Sequence, residues 1–263
     1  TSEGKDSRVL GHLMRRAGVR HFYMHSVTGI DPPELVYFQR ANFQEYRDLG
    51  YLTYDVMYQY SMWALCRKKR MLPMRQRRLC CESLKERRAP ECGKAFKCMG
   101  VRKFESSNRM KKRNELEIVE HGKDGKNIVM PFDNSENRRI FEQCYATAER
   151  RVNPIAYWTD SDIWDYSKDV GLEQCSLYDE GFTRLGCIGC PMARRAGREQ
   201  EFNRWPKFRD QYVRTAQHII DDKPDSHYFK QKFRSGQEYF DWWMHDRTQE
   251  EAKNDQIDMW EEA

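Results

Sequence analysis

The amino-acid sequence predicts an α/β protein with a doubly wound, mostly parallel sheet, a β-hairpin insertion and a helical C-terminal extension. Short apolar runs with strand character alternate with segments of helical periodicity, which is typical of a parallel sheet covered by helices. A hairpin signal interrupts this alternation near the middle of the chain. The last stretch, from about residue 199, is predicted to be helical and is rich in Trp, Arg and acidic residues.

The first elements follow a polar loop at residues 2–7. Apolar residues at helical spacing begin at Val9, and this indicates that the loop leads into a helix. Residues 21–27 form a predicted buried strand. Pro32-Pro33-Glu34 then opens a helix that runs to about Arg47, because proline is favoured near the first helical turn.

The middle of the chain adds strands and the hairpin. Residues 52–57 and 95–101 are the second and third predicted strands of the main sheet. Residues 115–119 and 127–130 flank the turn sequence Gly-Lys-Asp-Gly at 122–125, and Asp-Gly in such a turn favours a hairpin. We expect this hairpin to decorate the main sheet.

A capping-box pattern precedes the next helix. Thr159 and Asp162 have the spacing of a cap and its reciprocal partner, which predicts a helix over residues 163–168. Because neither an internal repeat nor a low-complexity linker is present, we expect one nucleotide-binding domain over residues 1–198 and a helical extension over residues 199–263.

Composition indicates a packed protein rather than a disordered one. The 263 residues are 39 % hydrophobic, 33 % charged and 13 % aromatic, with a formal net charge of +5. No apolar run is long enough to span a bilayer, so no membrane partner is expected. The chain contains nine cysteines and opens without a signal-peptide pattern, which favours a reducing compartment, with cytoplasm as the default.

Two cysteine pairs are the strongest chemical signal. Cys80 and Cys81 are adjacent, and Cys187 and Cys190 follow as Cys-Ile-Gly-Cys. Thiolates suit zinc or iron–sulfur iron. Adjacent cysteines strain a single tetrahedral zinc, whereas they can bind different corners of a cubane. We therefore expect a 4Fe-4S cluster on these residues, and structural zinc is the alternative.

The loop at residues 2–7 is a candidate phosphate site. Small residues let backbone N–H groups approach phosphate oxygens, and the following helix adds its N-terminal partial charge. Lys5 can pair with a phosphate, and the hydroxyls of Ser2 and Ser7 can donate to it. The spacing is not that of a Walker A loop. A polar turn that caps a helix is the alternative.

A basic run lies between residues 67 and 88. It begins with Arg67-Lys68-Lys69-Arg70, and only Glu82 and Glu86 oppose it. Such a cluster can hold a nucleotide phosphate or a nucleic-acid backbone. The alternative is a solvated helix face.

Several segments together resemble a known family. Ser2-Glu3-Gly4-Lys5-Asp6-Ser7 resembles the PP-loop of adenine-nucleotide alpha-hydrolases. Three further segments are similar to motifs of the phosphoadenosine phosphosulfate (PAPS) reductase family, and these are Thr28–Glu34, Gly100–Ser106 with Arg109, and Asn153–Trp164. The cysteine pairs resemble the iron–sulfur ligands of the adenylylsulfate reductase branch of this family. Proteins of DNA phosphorothioation are similar to this branch.

The resemblance implies a site. Its nucleotide-binding residues are Ser2, Gly4, Lys5, Asp6, Ser7, Thr28, Gly29, Arg102 and Arg109. Lys5 and Arg102 are the implied catalytic residues, and Cys80, Cys81, Cys187 and Cys190 are the implied cluster ligands. The implied cofactors are a 4Fe-4S cluster and ATP or another adenine nucleotide, with Mg²⁺ as a further candidate. Implied partners are the nucleotide, a sulfur donor or protein, and nucleic acid bound through Arg67–Arg88.

Three departures from the family pattern shape the functional hypotheses. Glu3 replaces a glycine of the loop, so we expect a negative side chain near the phosphate position, and Val27 stands where an aspartate is common. The reductases use a cysteine in a C-terminal tail, and this sequence has no cysteine after Cys190.

We therefore expect an alpha-hydrolase that converts ATP to AMP and pyrophosphate in sulfur transfer or nucleic-acid modification. One alternative is an adenylylsulfate or PAPS reductase that uses a cysteine absent from this sequence. The other is a non-catalytic protein that binds nucleotides or nucleic acid.

Overall fold

The computed structural model describes residues 1–85, 96–105, 107–119, 127–130, 149–223 and 227–245. Helices and short sheets both occur, which confirms the α/β class. The doubly wound, mostly parallel sheet stays a prediction. Among the described residues, no helix is both long enough and apolar enough to cross a membrane.

Nine regular α-helices occur in the described residues. They are α1 Lys5–Arg16, α2 Pro33–Asp48, α3 Met62–Lys69, α4 Ser107–Lys112, α5 Asp160–Asp169, α6 Arg195–Arg204, α7 Pro206–Asp221, α8 Tyr228–Lys232 and α9 Gly236–Met244. A π-helical turn spans Cys81–Lys85, and 3-10 turns span Lys103–Glu105 and Ser176–Tyr178. The strands are β1 Tyr23–Val27, β2 Thr53–Met57, β3 Lys97–Cys98, β4 Leu116–Val119, β5 Asn127–Met130 and β6 Glu149–Val152.

The described strands form two sheets. One pairs β1 with β2, and the other has the order β3-β6-β4-β5. In the second sheet β3 runs parallel to β6, whereas β4 is antiparallel to both β5 and β6. The pairing of β4 with β5 confirms the predicted hairpin, and its turn at residues 122–125 lies outside the described residues.

Most predicted elements are present with shifted ends. The third strand is short, and Ala95 at its predicted start lies outside the described residues. Thr159 and Asp162 form the predicted capping box, but α5 begins directly after the cap, at Asp160. α1 begins at Lys5, inside the loop motif, because polar residues are well tolerated in a first turn whose N–H groups lack helical partners.

The chain divides into two compact units. The first comprises Thr1–His25, Tyr37–Tyr54 and Pro90–Arg184. The second comprises Ser26–Val36, Asp55–Ala89 and Leu185–Ala263. The expected boundary after residue 198 stays a prediction.

The first unit has an aliphatic and an aromatic core cluster. Val9 of α1 packs with Ile155 and Ile163, and all three are fully buried. Tyr23 of β1 stacks on Tyr46 of α2 with ring centroids 4.1 Å apart. The Tyr23 hydroxyl donates to the carbonyl of Gly11 in α1 over 3.2 Å, and Arg8 of α1 donates to the hydroxyl of Tyr46. These contacts fix α1, whose N-terminus carries the phosphate-loop residues, against α2, α5 and β1.

Aromatic packing organises the second unit. Tyr212 of α7 is fully buried and stacks on Trp243 of α9 with centroids 4.9 Å apart. Its hydroxyl donates to the carbonyl of Ile188 over 3.0 Å, and the indole of Trp243 donates to the carbonyl of Pro73 over 2.7 Å. The C-terminal helices therefore hold the Cys187–Cys190 segment through its backbone.

A buried carboxylate ties β4 to its surroundings. Glu117 is fully buried and accepts hydrogen bonds from Arg113 Nη1 at 2.6 Å, the backbone N–H of Asn114 at 3.2 Å and Asn153 Nδ2 at 3.0 Å. The carboxylate therefore joins the chain before β4 to the chain after β6.

We predict that Glu117→Ala lowers the free energy of unfolding by about 3 kcal/mol, because it leaves buried donors without an acceptor. Chemical denaturation measures this change. Glu115→Ala removes a neighbouring carboxylate that is only partly buried, and we expect it to cost less than about 0.5 kcal/mol. Equal losses for the two variants would contradict a structural role for the Glu117 hydrogen bonds.

Candidate functional site

The loop and the start of α1 form the first part of the candidate site, in the first unit. Gly4 is the N-cap of α1 in an extended conformation. The N–H of Lys5 donates to the hydroxyl of Tyr178 over 2.8 Å, and the hydroxyls of Ser2 and Ser7 lie 3.1 Å apart. A helix N-terminus flanked by hydroxyls and a lysine favours a bound anion.

Glu3 is accommodated in a way that the sequence does not reveal. Its φ is +52°, in the left-handed region that a glycine would adopt more easily. Its side chain is fully buried, and the carboxylate accepts hydrogen bonds from Thr1 Oγ1 at 2.6 Å, Asn42 Nδ2 at 2.9 Å and the hydroxyl of Tyr46 at 3.1 Å. The negative charge expected near the phosphate position is directed towards α2 instead.

Lys5 and Arg102 converge on one carboxylate oxygen. Asp160 Oδ1 lies 3.2 Å from Lys5 Nζ and 2.8 Å from Arg102 Nη2. Burial tends to raise the pKa of Asp160, but Lys5 and Arg102 outweigh it and lower that pKa. The side chain of Asp160 is 62 % exposed, whereas the side chains of Lys5 and Arg102 are buried.

Arg102 is held from a second side by Asp6. Its Nε donates to Asp6 Oδ1 over 2.6 Å, and the side chain is buried. Gly100 permits this approach, because a Cβ on Gly100 would lie only 3.2 Å from the carbonyl carbon and oxygen of Asp6. Lys5 completes its own contacts by donating to the carbonyl of Thr183 over 3.1 Å.

Arg109 of α4 is paired with a residue of the preceding 3-10 turn. Its guanidinium forms an ion pair with Glu105, one turn earlier. Burial, followed by the charges of Arg113 and Arg184, lowers the pKa of Arg109. The structure therefore brings Lys5, Asp6 and Arg102 together. Arg109 is paired with Glu105 and lies close enough for the charges of Asp6 and Arg102 to act on it.

The four cysteines of the two pairs are neighbours in the second unit. A hydrogen bond with Cys81, burial, and the Cys187 and Cys190 thiols together raise the pKa of Cys80. All four are free thiols. No set of three or more His, Cys, Asp or Glu side chains in the described ranges is already arranged around a metal position. The donor chemistry fits a soft metal centre, although the thiols are close rather than preassembled.

Polar groups surround Cys187. Its thiol donates to Thr28 Oγ1 over 3.7 Å, and burial raises the pKa of Cys187 to about 12 despite the nearby Lys85. Burial tends to lower the pKa of Lys85, but Cys187 and Asp31 outweigh it and raise that pKa. We expect Thr28 to border the nucleotide together with Gly29. The hydroxyl of Thr28 donates to Asp31 and accepts from Cys187 and from the N–H of Ile30.

Lys85 is a site residue that the sequence indicates only as part of the basic run. Its position four residues after Cys81, within one helical turn, is the signal that could have identified it.

The Cys-Ile-Gly-Cys turn depends on its glycine. Gly189 has φ +71°, and an added Cβ would lie 2.5 Å from Phe202 Cζ and 3.0 Å from Tyr212 Cε2. Its N–H donates to Glu201 Oε2 over 2.7 Å. The turn that presents Cys187 and Cys190 is therefore fixed by both backbone conformation and packing.

The fold and these sites define an α/β protein in which a lysine and two serine hydroxyls lie at a helix N-terminus and four thiols are neighbours. The profile of the phosphoadenosine phosphosulfate reductase domain matches residues 1–193, and the chain belongs to this family.

Curated relatives match shorter segments. An adenosine 5'-phosphosulfate reductase of Burkholderia cepacia is 34 % identical over 24 % of this chain and 26 % of its own length. The corresponding protein of Deinococcus radiodurans is 38 % identical over 22 % of this chain and 23 % of its own. An uncharacterized 37.8 kDa protein of Escherichia phage 186 is 37 % identical over 20 % of this chain and 16 % of its own. The chain thus spans about a quarter or less of the length of these relatives.

We predict that Glu3→Gly destabilises the protein by about 1–2 kcal/mol, although it introduces the family's glycine. The substitution relieves about 1–2 kcal/mol of left-handed strain but leaves the buried donors of Asn42 and Tyr46 without their acceptor. Glu3→Gln keeps the side-chain volume and an amide oxygen, and we expect a smaller loss. Thermal and chemical unfolding measure both variants, and a gain in stability for Glu3→Gly would contradict the role assigned to the carboxylate.

Proposed function

We propose that the protein binds an adenine nucleotide with its phosphates at residues 2–7 and hydrolyses ATP to AMP and pyrophosphate. The observation that carries this proposal is the convergence of Lys5 Nζ and Arg102 Nη2 on one oxygen of Asp160, beside the N-terminus of α1. An oxygen atom between two cations is the environment that a phosphate oxygen requires. The expected doubly wound sheet would put this loop at the carboxyl ends of its strands.

Asp160 serves as the partner of both cations until a nucleotide arrives. Because its side chain is 62 % exposed, it can turn into solvent when a phosphate oxygen takes over its contacts with Lys5 and Arg102. Arg102 keeps its bond to Asp6, which fixes the guanidinium in place. The guanidinium and ammonium groups are therefore already oriented before the substrate binds.

The proposed step is attack of water on the α-phosphorus. The new oxygen–phosphorus bond forms while the bond from the α-phosphorus to the bridging oxygen breaks, and its electron pair leaves with pyrophosphate. The proton of the attacking water passes to solvent. Lys5 and Arg102 stabilise the charge that grows on the phosphate oxygens. Mg²⁺ bound to the nucleotide would supply further charge neutralisation.

The thiol cluster is proposed to hold a 4Fe-4S centre through Cys80, Cys81, Cys187 and Cys190. The donor set fits, because four free thiols adjoin one another and a half-buried cation, Lys85, lies beside Cys187. When bound, such a centre would supply electrostatic tuning or sulfur chemistry. Zinc is the competing occupant. The family to which the chain belongs supports a role in sulfur metabolism.

Sulfonucleotide reduction is the second candidate, and the names of the relatives favour it. Adenylylsulfate or PAPS would release sulfite and the corresponding nucleotide, with two electrons supplied by thiols. The thiol that accepts the sulfo group would come from a partner or from a segment outside this sequence, since no cysteine follows Cys190. The site at Lys5 and Arg102 would bind the phosphate of either substrate.

We predict that Lys5→Ala and Arg102→Ala each lower AMP formation from labelled ATP by about 100-fold, because each removes a cation from the developing charge. Lys103→Ala is the matched control, since Lys103 adjoins Arg102 in sequence but donates to Asn114 and Tyr157. We expect it to retain full activity. Sulfite release from adenylylsulfate with a thiol donor, without AMP from ATP, would favour the reductase, and nucleotide binding without turnover would favour a non-catalytic role.

We predict that anaerobically reconstituted protein binds about four irons and four sulfides per chain. Gly189→Ala is expected to lose most of this iron, because the added methyl group clashes with Phe202 and displaces the turn. Gly186→Ala is the control, since a Cβ there meets no heavy atom within 4 Å. Iron, sulfide and zinc are quantified together. Stoichiometric zinc without sulfide would contradict the cluster and indicate that the four cysteines bind zinc.

A further inference from the structure

The outer face of α3 is a strongly basic surface in the second unit. Met62, Leu65 and Cys66 form the buried face of this helix, whereas Ala64, Arg67 and Lys68 are exposed. Ala64, Arg67 and Lys68 are three and four residues apart, so they lie on one side of the helix. The basic groups therefore project together into solvent.

An open pocket lies against this face. Its volume is about 580 Å³, and it is lined by Ala64, Arg67, Lys68, Arg70 and Asp222. Arg67 Nη2 lies 3.3 Å from Asp222 Oδ2, which orients the guanidinium at the edge of the pocket. Arg70 ends the helix in the left-handed conformation, with φ +53°. Three cations and one carboxylate make the pocket a suitable place for a phosphate group.

Two tyrosines adjoin the same face. The Tyr58 and Tyr60 rings meet edge to face with centroids 5.7 Å apart. Lys68 Nζ lies 4.3 Å from the centre of the Tyr60 ring and donates to its hydroxyl over 2.9 Å. Aromatic faces beside basic side chains are the combination that binds unstacked bases and their phosphates.

The basic character of the surface extends along the chain beyond α3. Residues 56–81 contain no acidic residue, and the exposed cations in this stretch are Arg67, Lys68, Lys69, Arg70, Arg75, Arg77 and Arg78. Among the described residues, the side chains of Lys69, Arg70 and Arg78 have no ion-pair partner. Several cations at exposed positions favour a polyanion over a single small anion.

We propose that this surface, which we call the α3 surface and define as Tyr58, Tyr60, Arg67, Lys68 and Arg70, binds single-stranded nucleic acid. Phosphodiester groups occupy the pocket at Arg67, Lys68 and Arg70, and a base contacts the tyrosines. A single strand fits better than a duplex because its bases can reach an aromatic side chain. None of these residues belongs to the proposed nucleotide or cluster sites, so this binding does not rest on the proposed function.

The test measures fluorescence anisotropy of labelled strands of about 20 nucleotides, longer than the 4–16 nucleotides of one typical site. Single-stranded DNA, single-stranded RNA and duplex DNA are compared with the whole protein across a salt series. We expect the single strands to bind more tightly than the duplex, with an affinity that falls as salt rises. The comparison of single-stranded DNA with single-stranded RNA shows which of the two nucleic acids the surface prefers.

Matched variants distinguish binding at the α3 surface from attraction to the net positive charge of the protein. Arg67→Gln/Lys68→Gln/Arg70→Gln is expected to weaken binding at least tenfold and to reduce the salt slope by about 2, since each phosphate contact contributes about 0.7. Lys207→Gln/Arg214→Gln/Arg234→Gln removes the same charge from exposed positions elsewhere in the second unit, and we expect binding to be retained. Tyr58→Leu is expected to weaken single-strand binding about tenfold with little effect on the duplex.

Several outcomes would overturn the proposal. Equal weakening by the two triple variants would indicate non-specific attraction to a basic protein. Duplex binding as tight as single-strand binding would contradict the base contact assigned to the tyrosines. Polyglutamate that displaces the strand at equal charge concentration would indicate an acidic protein as the partner instead.

Discussion

The ionic contacts around Asp160 are the constraint on which the candidate nucleotide site depends. One carboxylate oxygen accepts from Lys5 on α1 and from Arg102 after β3, while Asp6 holds Arg102 from the other side. Two cations brought this close would repel each other if no anion lay between them. The carboxylate therefore allows Lys5 and Arg102 to remain oriented in the absence of a nucleotide. It also makes their pre-organisation depend on a residue at the start of α5, far away in the sequence.

The thiol cluster depends on a different constraint, the shape of one turn. The backbone of Cys187–Cys190 is fixed by a hydrogen bond from Tyr212 to Ile188 and another from Gly189 to Glu201. Phe202 and Tyr212 then leave no room for a side chain at position 189. Because these contacts come from α6 and α7, helices beyond residue 193 of the family match help to shape a thiol turn that lies within it.

The sequence predicted the elements better than the contacts. The strands β1 and β2, the helix α2, the hairpin and the Thr159 capping box follow from local patterns, because turn residues, caps and periodicity act over a few residues. The proximity of the two cysteine pairs could be inferred only from their shared chemistry. Asp160 and Tyr178 could not be identified as partners of Lys5, since no local rule links side chains that lie more than 150 residues apart. Lys85 was predicted as one of many basic residues, although its structural neighbours are Cys187 and Asp31.

Glu3 illustrates why a departure from a motif is not sufficient to predict a loss of function. A glycine at this position offers a free choice of φ, whereas a glutamate in the left-handed region costs about 1–2 kcal/mol. Glu3 accepts three hydrogen bonds. Hydrogen bonds to a charged acceptor contribute about 1.5–3 kcal/mol each, and part of this gain offsets the cost of burying the carboxylate. The strain is therefore smaller than the gain, provided that Thr1, Asn42 and Tyr46 are all in place. Because the carboxylate is turned towards those partners, the charge that distinguishes this loop from the family pattern does not oppose an anion at the N-terminus of α1.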